Sequence, residues 1–276
     1  MDLSEKELLK LKEMEMDIFK SFISVCHRLG LKYYIIAGTL IGAVRHKGFI
    51  PWDDDIDVAM PREDYEIFVS EGQHYLPGHL FIQTNKTDPE FAFNMAKIRN
   101  SNTTFLEESE RNCKINSGIF IDIFVLDNFP ENIILQKMAI IIDKVLLTAI
   151  GRVFFRKEIS KTLVARQKII GLVFPSPYTA VKLRERFVKS FSQSALTQNF
   201  SSNYGEKEIV PWEWYGKGVE LEFEGIKVIA PTKYELLLKK IYGDYLKLPP
   251  VEKRVSNHGT DIIDLDNGYL SYMNHE

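Results

Sequence analysis

The chain is organised around one stretch, Ala37-Gly38-Thr39-Leu40 followed by Phe49-Ile50-Pro51-Trp52-Asp53-Asp54-Asp55-Ile56-Asp57-Val58. Four carboxylates fall within five positions of its second half, directly after a turn and inside apolar sequence. Like charges this close repel one another, and partial burial makes each ionised carboxylate costly. We therefore expect a cation to be bound at this cluster.

The segment before the acidic cluster predicts a phosphate-binding turn. Residues 33–37 are a short apolar run of strand type, Gly38 and Thr39 form a turn, and residues 40–44 begin a helix. A strand that enters a helix through small residues presents backbone N–H groups to a phosphate. A single Gly-Thr pair is also typical of an ordinary turn, so both interpretations stay open.

Alternation along extended backbone divides the acidic cluster into two faces. Residues 56–60 are predicted to form a strand, and side chains two positions apart lie on the same side of it. Asp55 and Asp57 therefore share one face with Asp53, whereas Asp54 points the other way.

A further carboxylate, Asp122, lies in the middle of residues 119–126, a continuous apolar run that predicts a strand buried on both faces. Burying the ionised Asp122 carboxylate there without a partner would cost several kcal/mol of folding free energy. Hard oxygen ligands on neighbouring strands suit Mg²⁺ or Mn²⁺, and two such ions would bind substrate phosphates. We therefore predict that Asp55, Asp57 and Asp122 hold the metal, with Asp53 as a further ligand. The alternative is a solvated acidic turn, with Asp122 bound by backbone donors.

Basic side chains near this site are candidates for binding phosphate oxygens. Lys97 and Arg99 lie two apart on a strand predicted at 96–99, so both would point the same way. Arg45 and Lys47 follow the predicted turn. For each of the four, solvation at the surface is the alternative.

Aromatic side chains close to turns are candidates for surrounding a quaternary ammonium group, which they attract through cation–π interaction. Core packing is the alternative for each of them. The candidates are Trp52, Trp212, Trp214, Tyr215, Tyr242 and Tyr245.

Charge is unevenly distributed along the 276 residues. The formal charge of −3 excludes a chain that is basic throughout and binds nucleic acid by that means. Residues 131–190 contain 12 Lys and Arg against 4 Asp and Glu, which leaves −11 on the rest of the chain. This segment is predicted to bind an anionic partner or the face of a membrane, with solvated helix faces as the alternative.

The cysteine count and the apolar runs indicate in which compartment the protein is expected. Cys26 and Cys113 are too few for a disulfide framework or a cysteine metal site. The first residues show no secretory signal, and charged side chains interrupt the most apolar region, residues 133–155. The expectation is a soluble cytoplasmic protein.

The pattern of elements predicts an α+β fold with three regions: a catalytic core at 1–130, a helical insertion at 131–200, and a hairpin and helix at 201–276 that complete the core. Residues 4–29 read as an amphipathic helix that begins with a Ser4–Glu7 capping box. Residues 131–198 are predicted to be helical, and the tail from residue 251 is predicted to be loosely held.

Three motifs resemble those of the LicD family, which includes bacterial phosphocholine transferases and is related to the fukutin group. The first motif is Gly38-Thr39-Leu40-Ile41-Gly42-Ala43-Val44-Arg45 with Ile50-Pro51-Trp52-Asp53-Asp54-Asp55-Ile56-Asp57. The second is Phe120-Ile121-Asp122-Ile123-Phe124. The third is Leu238-Lys239-Lys240-Ile241-Tyr242-Gly243-Asp244-Tyr245, with Pro249-Pro250, Lys253-Arg254 and His258. The resemblance covers residues 33–258 in the same order.

The resemblance implies a nucleotidyltransferase-like mixed β-sheet with flanking helices. It also implies that Asp55, Asp57 and Asp122 are metal ligands and that Gly38 and Thr39 bind phosphate. The gap between Gly38-Thr39 and Asp55 is somewhat long for that superfamily. The third motif adds Tyr242, Arg254 and His258 to the candidates for substrate binding.

The activity that this resemblance implies is metal-dependent transfer of phosphocholine from CDP-choline to a hydroxyl of a glycan precursor. The acceptor would be a lipid-linked teichoic-acid or lipopolysaccharide-type precursor of the cell wall or cell surface, at the inner face of the membrane. Two alternatives stay open. One is transfer of another nucleotide-activated phosphoryl group on the same site, and the other is a choline- or glycan-binding module without catalysis.

Overall fold

The apolar run around Asp122 becomes the central strand of a mixed sheet in the computed structural model, which describes residues 4–151, 168–174, 176–254 and 259–273. The strands are β1 (Tyr34–Ile35), β2 (Asp57–Pro61), β3 (Leu80–Gln83), β4 (Ala96–Asn100), β5 (Thr104–Glu107), β6 (Ile119–Phe129), β7 (Leu196–Asn199), β8 (Val210–Pro211), β9 (Val219–Phe223), β10 (Ile226–Ala230) and β11 (Thr260–Asp264). The α-helices are α1 (Glu5–Leu29), α2 (Ala37–His46), α3 (Arg62–Glu71), α4 (Ile133–Ile150), α5 (Pro177–Lys189), α6 (Trp212–Tyr215), α7 (Tyr234–Tyr242) and α8 (Leu270–Met273). The predicted α+β class is confirmed.

The main sheet has the strand order β1-β2-β6-β4-β3, and β7 and β8 extend it beside the second half of β6. The pair β2–β6 is parallel, and its neighbours are antiparallel. The register places Asp57 opposite Asp122, Asp122 opposite Lys97, and Lys97 opposite Gln83. One row across four strands therefore carries two acids, one base and one amide.

Helix α1 has the predicted capping box: the Ser4 side chain accepts a hydrogen bond from the Glu7 backbone, and Glu7 accepts one in return. Gly30 ends the helix with φ 68°, the left-handed conformation that glycine adopts at least cost. The buried face of α1 packs against β6, β4 and α3. Its side chains join the main core.

Helices α4 and α5 lie in the predicted insertion. They pack against each other, and the Arg184 guanidinium on α5 donates to the Asp143 carboxylate on α4 at 2.7 Å. The prediction of helix up to residue 198 is wrong at its end, because Leu196–Asn199 is strand β7. That segment pairs with residues 126–129 of β6, a partner too far along the chain for local periodicity to reveal.

The C-terminal part begins with the predicted hairpin β9–β10, whose turn residues Glu224 and Gly225 both have positive φ. This conformation is typical of a two-residue type I′ turn. The hairpin and α7 contribute Phe223, Val228 and Leu238 to the main core. The prediction of a loosely held tail from residue 251 is wrong for β11, which pairs with β5.

Candidate active site

A pocket of about 540 Å³ is lined by side chains from β2, β4 and β6 and by the loop that precedes β2. It gathers the carboxylates of Asp53, Asp55, Asp57 and Asp122, whereas Asp54 is buried and does not line it. Strand β2 begins only at Asp57, so Asp53 and Asp55 reach the pocket from the loop. The predicted division of the cluster therefore agrees with the lining of the pocket.

The two acids in register carry the strongest electrostatic conflict in this pocket. Asp57 is buried, and burial raises the pKa of its carboxyl group well above the usual range. The neighbouring carboxylates of Asp55 and Asp122 raise that pKa further. A positive charge placed among these three carboxylates would remove the conflict.

Lys97 supplies part of that positive charge. Its Nζ atom lies 2.9 Å from the Glu107 carboxylate and 3.4 Å from the Asp122 carboxylate, and the residue is only 4% exposed. Burial lowers the pKa of Lys97, but the charges of Asp122 and Glu107 raise it more, so the ammonium group stays protonated. Asp122 thus has a protein cation beside it.

The turn at Gly38 and Thr39 is the first turn of α2. Gly38 lines the pocket, and a Cβ atom there would overlap Asp53 Oδ2, so a larger residue would require that carboxylate to move. The Thr39 hydroxyl accepts a hydrogen bond from the Asp57 backbone N–H at 2.8 Å and is buried. The structure therefore uses this hydroxyl to fix the start of β2, which differs from the predicted phosphate contact.

Helix α1 contacts the loop that precedes β2 and carries Asp53 and Asp55, a role that its amphipathic pattern did not predict. The Lys12 ammonium group donates to the backbone carbonyls of Ile50 and Pro51 at 3.2 and 3.1 Å. Glu15 is buried nearby, and burial followed by the charges of Asp55 and Asp54 raises the pKa of its carboxyl group well above the usual range. A periodic pattern shows which side of a helix is buried, but not that a polar side chain there supports a loop.

Arg99 is the clearest departure from the predicted phosphate contacts. It is 0% exposed, and its guanidinium group makes two 3.0 Å contacts with the Glu110 carboxylate and donates to Gln83 Oε1. Lys97 and Arg99 both lie over the Phe120 ring, as expected for residues two apart on a strand. Of these two residues only Lys97 lines the pocket, because the Arg99 guanidinium group is held by the Glu110 carboxylate.

Two further predicted phosphate contacts, Arg45 and Lys47, do not line the pocket. Arg45 donates to the Tyr245 carbonyl at 3.1 Å, and Lys47 lies 3.5 Å from the Glu222 carboxylate at the surface. Arg45 lies in the last turn of α2 and Lys47 is its C-cap, so both are at the end of the helix opposite Gly38.

Of the aromatic candidates, Trp52 and Tyr242 line the pocket. The Arg254 guanidinium lies 5.5 Å from the centre of the Trp52 ring, so the third motif approaches the pocket there. Tyr215 is buried in the core, and the Trp212 indole N–H donates to Asn128 at 2.9 Å. His258 lies outside the described residues.

The segment that follows β7 contributes residues that the sequence did not single out. Asn199, Ser201, Ser202, Asn203, Tyr204 and Glu208 all line the pocket. These are polar residues in a loop and a 3₁₀ helix (Gly205–Glu208), and they carry no periodic or motif signal. Their proximity to the acidic cluster depends on the pairing of β7 with β6.

The donors in this pocket suit a divalent metal in type but are not pre-arranged around one. Within the described residues, no group of three His, Cys, Asp or Glu side chains is placed to hold a metal ion as the side chains stand. Four aspartate carboxylates nevertheless line one pocket, and the repulsion at Asp57 is the kind that a cation relieves. The carboxylates would have to turn towards a common point.

A search of family models matches residues 30–138 to the LicD/FKTN/FKRP nucleotidyltransferase domain. The lipopolysaccharide cholinephosphotransferase LicD of Haemophilus influenzae is 30% identical over 265 residues, which cover 91% of this chain and 96% of that protein. The chain belongs to the LicD/FKTN/FKRP family. The predicted resemblance is thereby confirmed.

Other relatives match shorter parts of this chain. An uncharacterised protein of Rickettsia prowazekii is 34% identical over 131 residues, which cover 47% of this chain and 44% of that protein. Human ribitol 5-phosphate transferase FKRP is 40% identical over 42 residues, 15% of this chain and 8% of that protein. The two relatives whose names state an activity are transferases of phosphate-linked groups.

Most of the pocket's negative charge comes from residues inside the segment that the family model matches. Residues 30–138 include Asp53, Asp55, Asp57 and Asp122, whereas Tyr204, Glu208 and Tyr242 fall beyond it. In the parts of the chain that the structure describes, no helix combines the length and hydropathy needed to cross a membrane.

Proposed function

We propose that this protein transfers phosphocholine from CDP-choline to a hydroxyl group of a cell-surface glycan precursor. The observation that carries the proposal is the pocket in which Asp57, Asp122 and Lys97 stand in register on three strands, with Asp53 and Asp55 beside them. The 30% identity over 91% of the chain to a cholinephosphotransferase supports the transferred group. The site roles of these residues remain predictions.

Asp55, Asp57 and Asp122, with Asp53, would hold one or two Mg²⁺ or Mn²⁺ ions. Bound there, such ions would neutralise the diphosphate and stabilise charge on the leaving phosphate. Lys97 holds a fixed positive charge at the floor of the pocket through its contacts with Glu107 and Asp122. Because its ammonium group stays protonated, Lys97 would bind phosphate oxygens and would not remove the acceptor's proton.

The bond changes follow from the donor and the acceptor. The acceptor oxygen attacks the phosphorus that carries choline, a new P–O bond forms, and the bond to the CMP oxygen breaks. The hydroxyl proton leaves to a base or to water, and CMP departs with the electron pair. Gly38 keeps this corner of the pocket open, since any larger residue would displace the Asp53 carboxylate.

A second candidate is the transfer of a different alcohol phosphate on the same site, since one relative is named as a ribitol 5-phosphate transferase. The pocket has room for either group, and the acidic residues do not distinguish them. A binding module without catalysis is less well supported, because such a module would have no need to hold four carboxylates against their mutual repulsion.

We further propose that the outer face of α4 contacts an anionic membrane, where a lipid-linked acceptor would be met. Ile134, Met138, Ile141 and Val145 recur at steps of three and four and are all exposed. Lys137 lies beside this stripe and is also exposed. An outward apolar stripe with basic neighbours, inside a segment that carries an excess of eight positive charges, is typical of helices that lie in a lipid interface. The apolar stripe of α4 is the part of the structure that would enter the lipid interface. Residues 152–167 belong to the segment 131–190 that is predicted to contact the membrane, and they lie outside the described residues.

The donor is tested by calorimetry of the full chain with CDP-choline, CDP-ribitol and CDP, each with and without Mg²⁺. The proposal predicts that CDP-choline binds most tightly and that Mg²⁺ strengthens its binding. Tighter binding of CDP-ribitol would favour the second candidate. Equal binding of CDP alone would contradict a dedicated site for the transferred group.

A further inference from the structure

Glu208 is a buried acid in the pocket that the proposed reaction leaves without a role. It ends the 3₁₀ helix that follows β7 and is 7% exposed. One carboxylate oxygen accepts a hydrogen bond from the Ser202 hydroxyl at 2.8 Å. The other oxygen, Oε2, is buried and has no hydrogen-bond partner among the described residues. A carboxylate in this state lacks a positive partner.

Two aromatic rings lie next to this acid. Tyr204 and Tyr242 line the same pocket and pack edge to face, with ring centres 4.9 Å apart. Burial raises the pKa of both phenols, and the charges of Glu208 and Asp57 raise them further, so both rings lie within the field of both acids. The two phenols are therefore close enough to both Glu208 and Asp57 to respond to their charges.

The backbone around these groups is fixed by two lysines. The Lys207 ammonium donates to the Ile241 carbonyl at 3.1 Å, and the Lys240 ammonium donates to the Ile209 carbonyl. These contacts join the 3₁₀ helix to the end of α7, so Tyr204, Glu208 and Tyr242 are held together before any ligand binds. Pre-arranged groups lose little entropy on binding.

We propose that Glu208, with the rings of Tyr204 and Tyr242, forms the subsite that binds the quaternary ammonium group of the donor. A quaternary ammonium has no N–H to donate, so it is recognised by charge and by aromatic faces rather than by hydrogen bonds. A carboxylate with one oxygen that accepts no hydrogen bond among the described residues, and two rings that line the same pocket, supply both. The inference rests on the proposed function and names the part of the pocket that would select choline.

The position of the subsite suits a small zwitterionic group. Its phosphate end would face the acidic cluster and Lys97, and its positive end would face Glu208. Burial raises the pKa of Glu208 to about 7, so a bound cation would also favour the ionised carboxylate. A ribitol group carries no charge and would gain nothing from Glu208.

The test compares CDP-choline with the CDP ester of 3,3-dimethylbutanol, in which a neutral carbon replaces the ammonium nitrogen. Dissociation constants are measured by calorimetry on the full chain, with CDP as the common reference. The wild type is expected to prefer CDP-choline by about tenfold or more, the size of one desolvated cation contact. Glu208→Gln is expected to bring that ratio close to one while the affinity for CDP changes less than about twofold.

Glu206→Gln is the matched control, because Glu206 lies on the same 3₁₀ helix, is exposed and does not line the pocket. It should keep the wild-type preference. Tyr242→Leu should lose part of the preference and Tyr242→Phe should keep it, since only the first removes the ring. If Glu208→Gln does not fold, the comparison of Tyr242→Leu with Tyr242→Phe decides whether the subsite recognises the ammonium group.

The outcomes separate this inference from the proposed function. A wild type that prefers CDP-choline, with Glu208→Gln and Tyr242→Leu preferring it equally, would overturn the subsite and leave the function standing. A wild type that does not distinguish the two esters would overturn the subsite alone, because the function is decided by the comparison of CDP-choline with CDP-ribitol and CDP. If Glu208→Gln lowers kcat but keeps the preference, Glu208 takes up a proton in the reaction and the subsite is again overturned.

Discussion

The acidic pocket and the outer face of α4 are both unfavourable for folding, but in opposite ways. The pocket takes charges out of water: Asp57 and Glu208 are buried carboxyl groups whose pKa burial raises. The face of α4 leaves aliphatic side chains such as Ile141 in water. Regions that depart from the local rules of folding are commonly those that bind something.

The difference indicates what each region lacks. Among the described residues, the pocket is lined by six carboxyl groups and by one ammonium group, that of Lys97, so its expected ligands are metal ions and a quaternary ammonium group. Among the described residues, the outer face of α4 has no apolar neighbour over it and has Lys137 beside it, so its expected partner is an anionic lipid surface. Arg184 connects the two regions, since it pairs with Asp143 of α4 and donates to the carbonyl of Phe200, next to the pocket-lining loop.

The largest expected effect separates the chemistry of the pocket from its folding. Asp57→Ala should lower CMP release from CDP-choline by a factor of about 10³ or more, because it removes the predicted central ligand. The same change should leave the unfolding temperature equal or higher, since it removes a buried carboxyl group. Asp54→Asn is the control within the cluster, because Asp54 does not line the pocket. Retained CMP release by Asp57→Ala would contradict the site assignment.

The second prediction asks whether Asp122 belongs to the metal or only to Lys97. Asp122→Asn should raise the Mg²⁺ concentration needed for half-maximal turnover by about tenfold, because a neutral amide is a poorer ligand for a hard cation. Turnover is followed as CMP release over a range of Mg²⁺ concentrations. An unchanged Mg²⁺ requirement would mean that Asp122 serves only as the counter-charge of Lys97 at 3.4 Å.

The third prediction concerns the α4 face alone. Ile141→Glu should weaken binding to vesicles of phosphatidylcholine with phosphatidylglycerol by about tenfold, since it places a negative charge in the apolar stripe. Leu9→Glu is a matched control, because Leu9 and Ile141 are each 63% exposed and Leu9 lies on α1. Binding is measured by co-sedimentation, and CDP-choline affinity should not change. Equal loss in both variants, or none in either, would contradict a membrane role for α4.

The last prediction concerns a pH-dependent change in stability at Glu208. Burial raises its pKa from 4.5 to about 7, so the folded state holds a proton that the unfolded state has already released between these values. The stability contributed by this group is therefore complete below pH 4.5 and is lost as pH rises through 7. Glu208→Gln should then be more stable than the wild type by about 3 kcal/mol at pH 8 and no more stable at pH 4. Thermal unfolding at both pH values measures this, and a gain of equal size at both would contradict it.

The fold and the acidic residues of the pocket could be predicted because their signals are local. Ser4 and Glu7 fix the start of α1 within four residues, and the apolar run at 119–126 can only be a buried element. Asp55 and Asp57 reach the same pocket as Asp122 because the parallel pairing of β2 and β6 aligns them. The family resemblance supplied the expectation about the transferred group.

The remaining contacts could not be predicted because they depend on pairing across long distances in sequence. Arg99 and Lys97 are equivalent by strand periodicity, and only the position of Glu110 decides that Arg99 is held away from the pocket. Tyr204 and Glu208 follow β7, whose sequence Leu-Thr-Gln-Asn has one β-branched residue and no alternation of apolar and polar side chains. Their role emerges only after β7 pairs with β6.

The register of β6 has a consequence for how the protein is made. Asp57 and Asp122 are 65 positions apart, and Tyr242 lies a further 120 positions along the chain. Contacts with such separation form late, after long loops have closed. During synthesis, the early strands would emerge with their carboxylates long before the residues that complete the pocket wall. A fragment that ends after β6 would carry the acidic residues without the surroundings that select a ligand, so binding specificity should appear only with the full-length chain.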